Sequence, residues 1–88
     1  MTPLSSRVVK RSLRIAGHAT SISLEEPFWQ LLRKIAETRK IAVSTLVEEI
    51  DRERQGANLS SAVRVYVLEW MMREATLSLT DNGMPPRA

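Results

Sequence analysis

Cysteine is absent from the sequence, and histidine occurs once, at His18. Without cysteine there are no disulfides and no thiolate metal sites, a composition that fits a reducing cytoplasm. One histidine per chain gives at most a pair in a dimer, too few ligands for a protein zinc site, so no metal and no cofactor is expected. The serines and threonines lack a base and an orienting partner at a motif spacing, and no catalytic residue is expected. No apolar run approaches the roughly 20 residues that cross a bilayer. Val8 and Val9 are followed at once by Lys10 and Arg11, so no signal-peptide core is expected there. Aromatics are sparse: one Phe, one Tyr and two Trp.

Acid is missing from one end only. Up to Leu24 the charged residues are Arg7, Lys10, Arg11 and Arg14, whereas all ten Asp and Glu lie from Glu25 onward, nearly balanced by the remaining Lys and Arg. The formal excess of +3 therefore resides in the N-terminal arm. A basic arm ahead of a balanced body points to a polyanionic partner, although a solvated tail has the same composition. With few aromatic or long apolar residues to insert, that arm is not expected to hold a membrane surface. At 88 residues the chain is one small domain, for which a partner subunit is a natural source of additional core.

Thr20 to Leu24 alternate between polar and apolar, the period of a strand with one wet face. So short a strand needs a ladder partner, supplied either by the arm or by another copy of the chain; another copy is the reading adopted. In the arm, Leu13 and Ile15 alternate with Ser12 and Arg14, but their parity differs from that of Ile22 and Leu24. Gly17 is a bulge or turn that resets it. The arm is thus either a second strand segment or an extended tail that orders on binding.

Helical spacing begins with Pro27 in a first turn and predicts three helices, over about 25–40, 43–54 and 59–75. Phe28, Leu31, Leu32 and Ile35 make the stripe of the first. Leu46, Val47 and Ile50 line the second, which Gly56 and Asn58 stop. The third carries Leu59, Ala62, Val63, Tyr66, Val67, Trp70 and Met71, broadened by Leu68 and Met72, a stripe wide enough for core or for a helix–helix interface. Tyr66 and Trp70 read as core or interface rather than as base-stacking groups, and Trp29 as packing at a helix or dimer seam. Arg64 and Arg73 read as surface charges, and the Glu48, Glu49, Asp51, Glu53 cluster as a solvated face. Residues 1–9 form a flexible basic lead-in, 10–75 the domain, and 76–88 a frayed, proline-containing tail.

Thr20-Ser21-Ile22-Ser23-Leu24, Phe28-Trp29, Leu32 to Glu37 and Ile41 to Val47 resemble the ribbon-helix-helix family of bacterial DNA-binding proteins. Lys10 to His18, with its Arg14-Ile15-Ala16-Gly17-His18 arm, and Gly56 to Val65, with Asn58-Leu59-Ser60-Ser61-Ala62, resemble a small proteobacterial subgroup of it. The resemblance covers roughly Lys10 to Met71. It implies a mainly α fold with one short strand, in which an intertwined homodimer forms an antiparallel two-stranded ribbon for the major groove, with an added C-terminal helix. It further implies a dimer core of Ile22, Leu24, Phe28, Leu32, Ile35, Leu46, Val47 and Ile50. Ala19, Ser21 and Ser23 would face bases and Thr20 the ribbon edge. Arg7, Lys10, Arg11, Arg14 and His18 would supply arm contacts, and the amides of Val43, Ser44 and Thr45 a phosphate anchor.

Two positions depart from the family pattern. Ala42 stands where a capping Ser is usual, and the strand lacks Arg, Lys, Asn or Gln readers. The implied function is a cytoplasmic, non-enzymatic transcriptional regulator binding double-stranded DNA. The alternative is an antitoxin-like or adaptor module that docks a protein partner through the third helix.

Overall fold

The computed structural model describes residues 7–56 and 58–81, with side chains through Thr76. The expected lead-in up to residue 6 and the proline-rich end from residue 82 lie outside the described residues. Two strands, β1 (Val8–Ile15) and β2 (His18–Glu25), precede three helices, α1 (Glu26–Arg39), α2 (Val43–Glu53) and α3 (Leu59–Asp81).

The ladder partner of β2 lies in its own chain. β1 and β2 pair antiparallel from Val8 opposite Glu25 to Ile15 opposite His18. Ala16 (φ 52°) and Gly17 (φ 85°) form the two-residue reversal between them. Positive φ at both central residues is the geometry of a type I′ turn, whose twist matches that of the strands it joins. The arm is therefore a full strand, and the sheet forms within one copy, where the sequence reading looked to a second copy for the partner. The change of parity has the same cause: across a two-residue loop, odd-numbered residues pair with even-numbered ones, so Val9, Leu13 and Ile15 share a face with Ile22 and Leu24.

That face closes over the helices. Ile15, Ile22 and Leu24 from the sheet meet Trp29, Leu32, Ile35 and Ala36 of α1, Leu46, Val47 and Ile50 of α2, and Val63 and Val67 of α3, none more than 5% exposed. Seven of the eight residues expected in a dimer core are thus buried within a single chain; Phe28 is half-buried. Trp29 takes the inward position instead, because β1 overlies it and the Val9 carbonyl accepts its indole N–H at 2.8 Å. The inward row of α1 is therefore turned toward Trp29, Leu32 and Ala36, away from Phe28 and Leu31.

Polar links fix the layers at their rims. Arg39 forks onto Glu49 at 2.8 and 3.1 Å and donates to the Tyr66 hydroxyl at 3.2 Å, joining all three helices. Arg64 forks onto Glu25 at 2.8 and 3.3 Å and lies over the Phe28 ring, tying α3 to the end of β2. α1 ends at Lys40 in the left-handed conformation (φ 60°), with the Ile41 N–H returning to the Ala36 carbonyl. That is a Schellman closure made without glycine. α3 runs on to Asp81, past the expected end near residue 75, since no glycine or proline interrupts it before Gly83.

Candidate nucleic-acid interface

Because opposed residues of an antiparallel pair share a face, the register assigns every hairpin side chain to one of two surfaces. The outer surface carries Lys10 with Ser23, Ser12 with Ser21, and Arg14 with Ala19. Val8 and Glu25 close its far end, beside the start of α1. Between those ends the surface has two cations, three hydroxyls and no carboxylate. Ser12 and Ser21 lie side by side, their Oγ atoms 3.4 Å apart. Arg14 is braced at the turn by donating to the Gly17 carbonyl at 3.0 Å. The turn is itself held to α2, the Ala16 N–H donating to Glu48 at 2.8 Å.

The structure thus brings Lys10, Arg14, Ala19, Ser21 and Ser23 together on one face and adds Ser12, which the sequence reading had not singled out. Its signal was present in the alternation of Lys10, Ser12 and Arg14. Arg11, His18 and Thr20 belong to the opposite surface. Arg11 stacks over the Trp29 ring at 5.5 Å and lies 3.6 Å from Glu26, so its guanidinium is directed to the sheet–helix seam. Arg7 precedes β1 at the end away from the turn, where its carbonyl accepts the Glu26 N–H at 3.0 Å.

Val43, Ser44 and Thr45 form the first turn of α2, behind Ala42 as N-cap. Alanine offers no side-chain acceptor, and no side-chain cap bond is made there. The helix dipole and the first-turn amides thus meet no capping oxygen from residue 42.

Among the described residues no group of three or more His, Asp or Glu could hold a metal ion, and no helix is long and apolar enough to cross a membrane. The ion pairs shift two carboxyls. Arg64 holds Glu25 below the usual carboxylate range, and Arg39 does the same to Glu49.

A two-stranded antiparallel ribbon leading into helices, with a polar outer face, defines a class that sequence comparison also identifies. A ribbon-helix-helix domain model matches residues 8–71, and the chain belongs to that family. A solved structure described as an uncharacterized protein from Bordetella pertussis Tohama I is similar at 32% identity with a TM-score of 0.71, covering 93% of this chain and 70% of that one. No curated protein matches.

Proposed function

We propose that the chain is a bacterial, cytoplasmic DNA-binding protein, a transcriptional regulator that acts as a dimer and has no enzymatic activity. The observation that carries this reading is the outer hairpin face: Lys10, Ser12, Arg14, Ala19, Ser21 and Ser23, with no acid among them. A two-stranded ribbon fits the major groove, where serine hydroxyls both donate to and accept from base edges. Lys10 and Arg14 flank those serines and meet phosphates, while Arg7 extends the basic track at the far end. The first turn of α2 offers Val43, Ser44 and Thr45 amides to a further phosphate. Family membership supports the role, and the Arg14-to-His18 arm with the Asn58-to-Ala62 segment supports the narrower subgroup.

Dimerisation in this reading brings β2 of two copies together as the groove-facing ribbon, with β1 on the flank of each. Arg11 and His18 lie on the opposite face of the hairpin, Arg11 against Trp29 and Glu26.

The test is retention of random-core duplexes by the purified protein, followed by sequencing. An enriched inverted or repeated site is expected. Replacing Ser21 and Ser23 together by Ala should alter the preferred bases, whereas Arg14→Ala should weaken all duplexes about equally. Retention without enrichment would reduce the reading to a backbone-driven binder, and no retention at low salt would overturn it.

A further inference from the structure

Helix α3 has two apolar stripes. One, formed by Leu59, Val63, Val67 and Trp70 with Ala62 and Tyr66 beside it, packs on the body. The other is exposed: Val65 at 53%, Leu68 at 57% and Met72 at 59%. These three positions follow alternating three- and four-residue steps, which Ala75 and Leu79 continue in the sequence. That is the a/d spacing of a helix that seats against another helix. The helix also divides into two halves. Up to Trp70 it lies on the body; from Met71 to Thr76 every side chain is exposed. From Met71 to Thr76 the helix draws no burial from the body, the main source of helical stability in a protein.

We propose that α3 pairs antiparallel with α3 of a second copy about a two-fold axis near Trp70. This arrangement lays the projecting half of each helix along the body-bound half of the other. It sets Leu68 against Met72 of the second copy and Val65 against Ala75, large against small. Beside Val65 the body has an open groove of about 280 Å³, in which Ile50, Ala62 and Tyr66 are joined by Glu53, Arg54 and Glu69, and the projecting half of the second copy would run along it.

Charge favours a copy of the same chain over a foreign partner. Glu69 and Arg73 occupy one flank of the exposed stripe a turn apart, Arg73 resting over the Trp70 ring at 5.7 Å. The antiparallel two-fold brings each Glu69 within a turn of both the opposing Arg73 and the opposing Glu69, four charges that sum to zero. A parallel pair would stack Met72 on Met72 and crowd both bodies at one end. The pairing uses no residue of the hairpin face, so it joins copies independently of any ribbon contact and spaces two hairpins on one assembly.

The absence of native cysteine provides the test. Leu68→Cys and Met72→Cys proteins, mixed and oxidised, should form a disulfide-linked dimer across the two. Either alone should form little, because its two copies of the cysteine are offset along the helices beyond disulfide reach. Sedimentation of the full chain should give twice the mass of its Leu68→Glu variant, which alters an exposed residue and leaves helicity intact. Twice is the ratio when α3 alone joins copies; where the ribbon also joins them, α3 links those dimers and the variant stops at the dimer, so a loss of mass of twofold or more is read separately from DNA binding. Equal masses, cross-linking of Leu68→Cys alone as fast as in the mixture, or capture of a different protein on this face without self-association would each overturn the proposal.

Discussion

Trp29 joins sheet to helix at both ends of its side chain. Its ring is 1% exposed in the core and its N–H reaches the Val9 carbonyl, while the Arg11 guanidinium covers it. Trp29→Phe removes that hydrogen bond and part of the volume, and should cost about 2–3 kcal/mol in urea unfolding. Ala16 acts in the opposite direction. An alanine at φ 52° is strained by its Cβ. Asn tolerates that region and keeps the N–H that Glu48 accepts, so Ala16→Asn should raise stability by about 1 kcal/mol and the melting midpoint by several degrees. Glu25 and Glu49 add a pH dependence to stability. Their carboxyls are held below the ordinary glutamate value of 4.5 by Arg64 and Arg39. With depressed folded-state pKa values, the unfolded chain binds more protons through that window. The stabilisation is then complete above about pH 4.5 and lost as pH falls through the folded-state pKa values. Unfolding midpoints measured from about pH 7 down to about pH 3 should drop below about pH 4.5, and drop less in a Glu25→Gln, Glu49→Gln variant.

Among the elements, α2 carries an unusual N-terminus. Ala42→Asp would supply a capping acceptor and a favourable dipole contact, and should stabilise the fold by about 1 kcal/mol. The same carboxylate would occupy the space where a DNA phosphate would sit. Thermal melting and duplex titration should therefore move in opposite senses, stability up and affinity down several-fold; unchanged affinity would remove α2 from the interface. The helices themselves were legible from spacing, Pro27 and Gly56, because amphipathic periodicity reports burial directly. What spacing could not resolve was rotation. Phe28 and Trp29 are adjacent and both aromatic, and only β1 lying above α1 decides that Trp29 faces inward. Arg64 was likewise read as a surface charge, since its partner Glu25 is 39 residues away and no local pattern connects them.

For the molecule as a whole, the candidate face was half visible. Ser21 and Ser23 stood out through their alternation with Ile22 and Leu24, but the arm's own alternation lacked a partner until the register joined Ser12 to Ser21 and Lys10 to Ser23. Arg11 was grouped with the arm by charge alone, and its contacts with Trp29 and Glu26 set it apart. Salt dependence should reflect that division. Each phosphate neutralised contributes about −0.9 to the log–log slope, so Arg14→Ala, lost twice in a dimer, should flatten it by about 2. Arg11→Ala should instead act mainly on the melting temperature, with the slope nearly retained.

The two-residue turn at Ala16 and Gly17 also bears on how the chain reaches its native state. The rungs between β1 and β2 join residues 3 to 17 apart in one hairpin, and hairpins close within microseconds, long before two chains at ordinary concentration meet. The sheet can thus cover Trp29 and Leu32 while the chain is still alone. Refolding monitored by tryptophan fluorescence should then follow a rate independent of protein concentration, with any assembly of copies as a later, concentration-dependent phase.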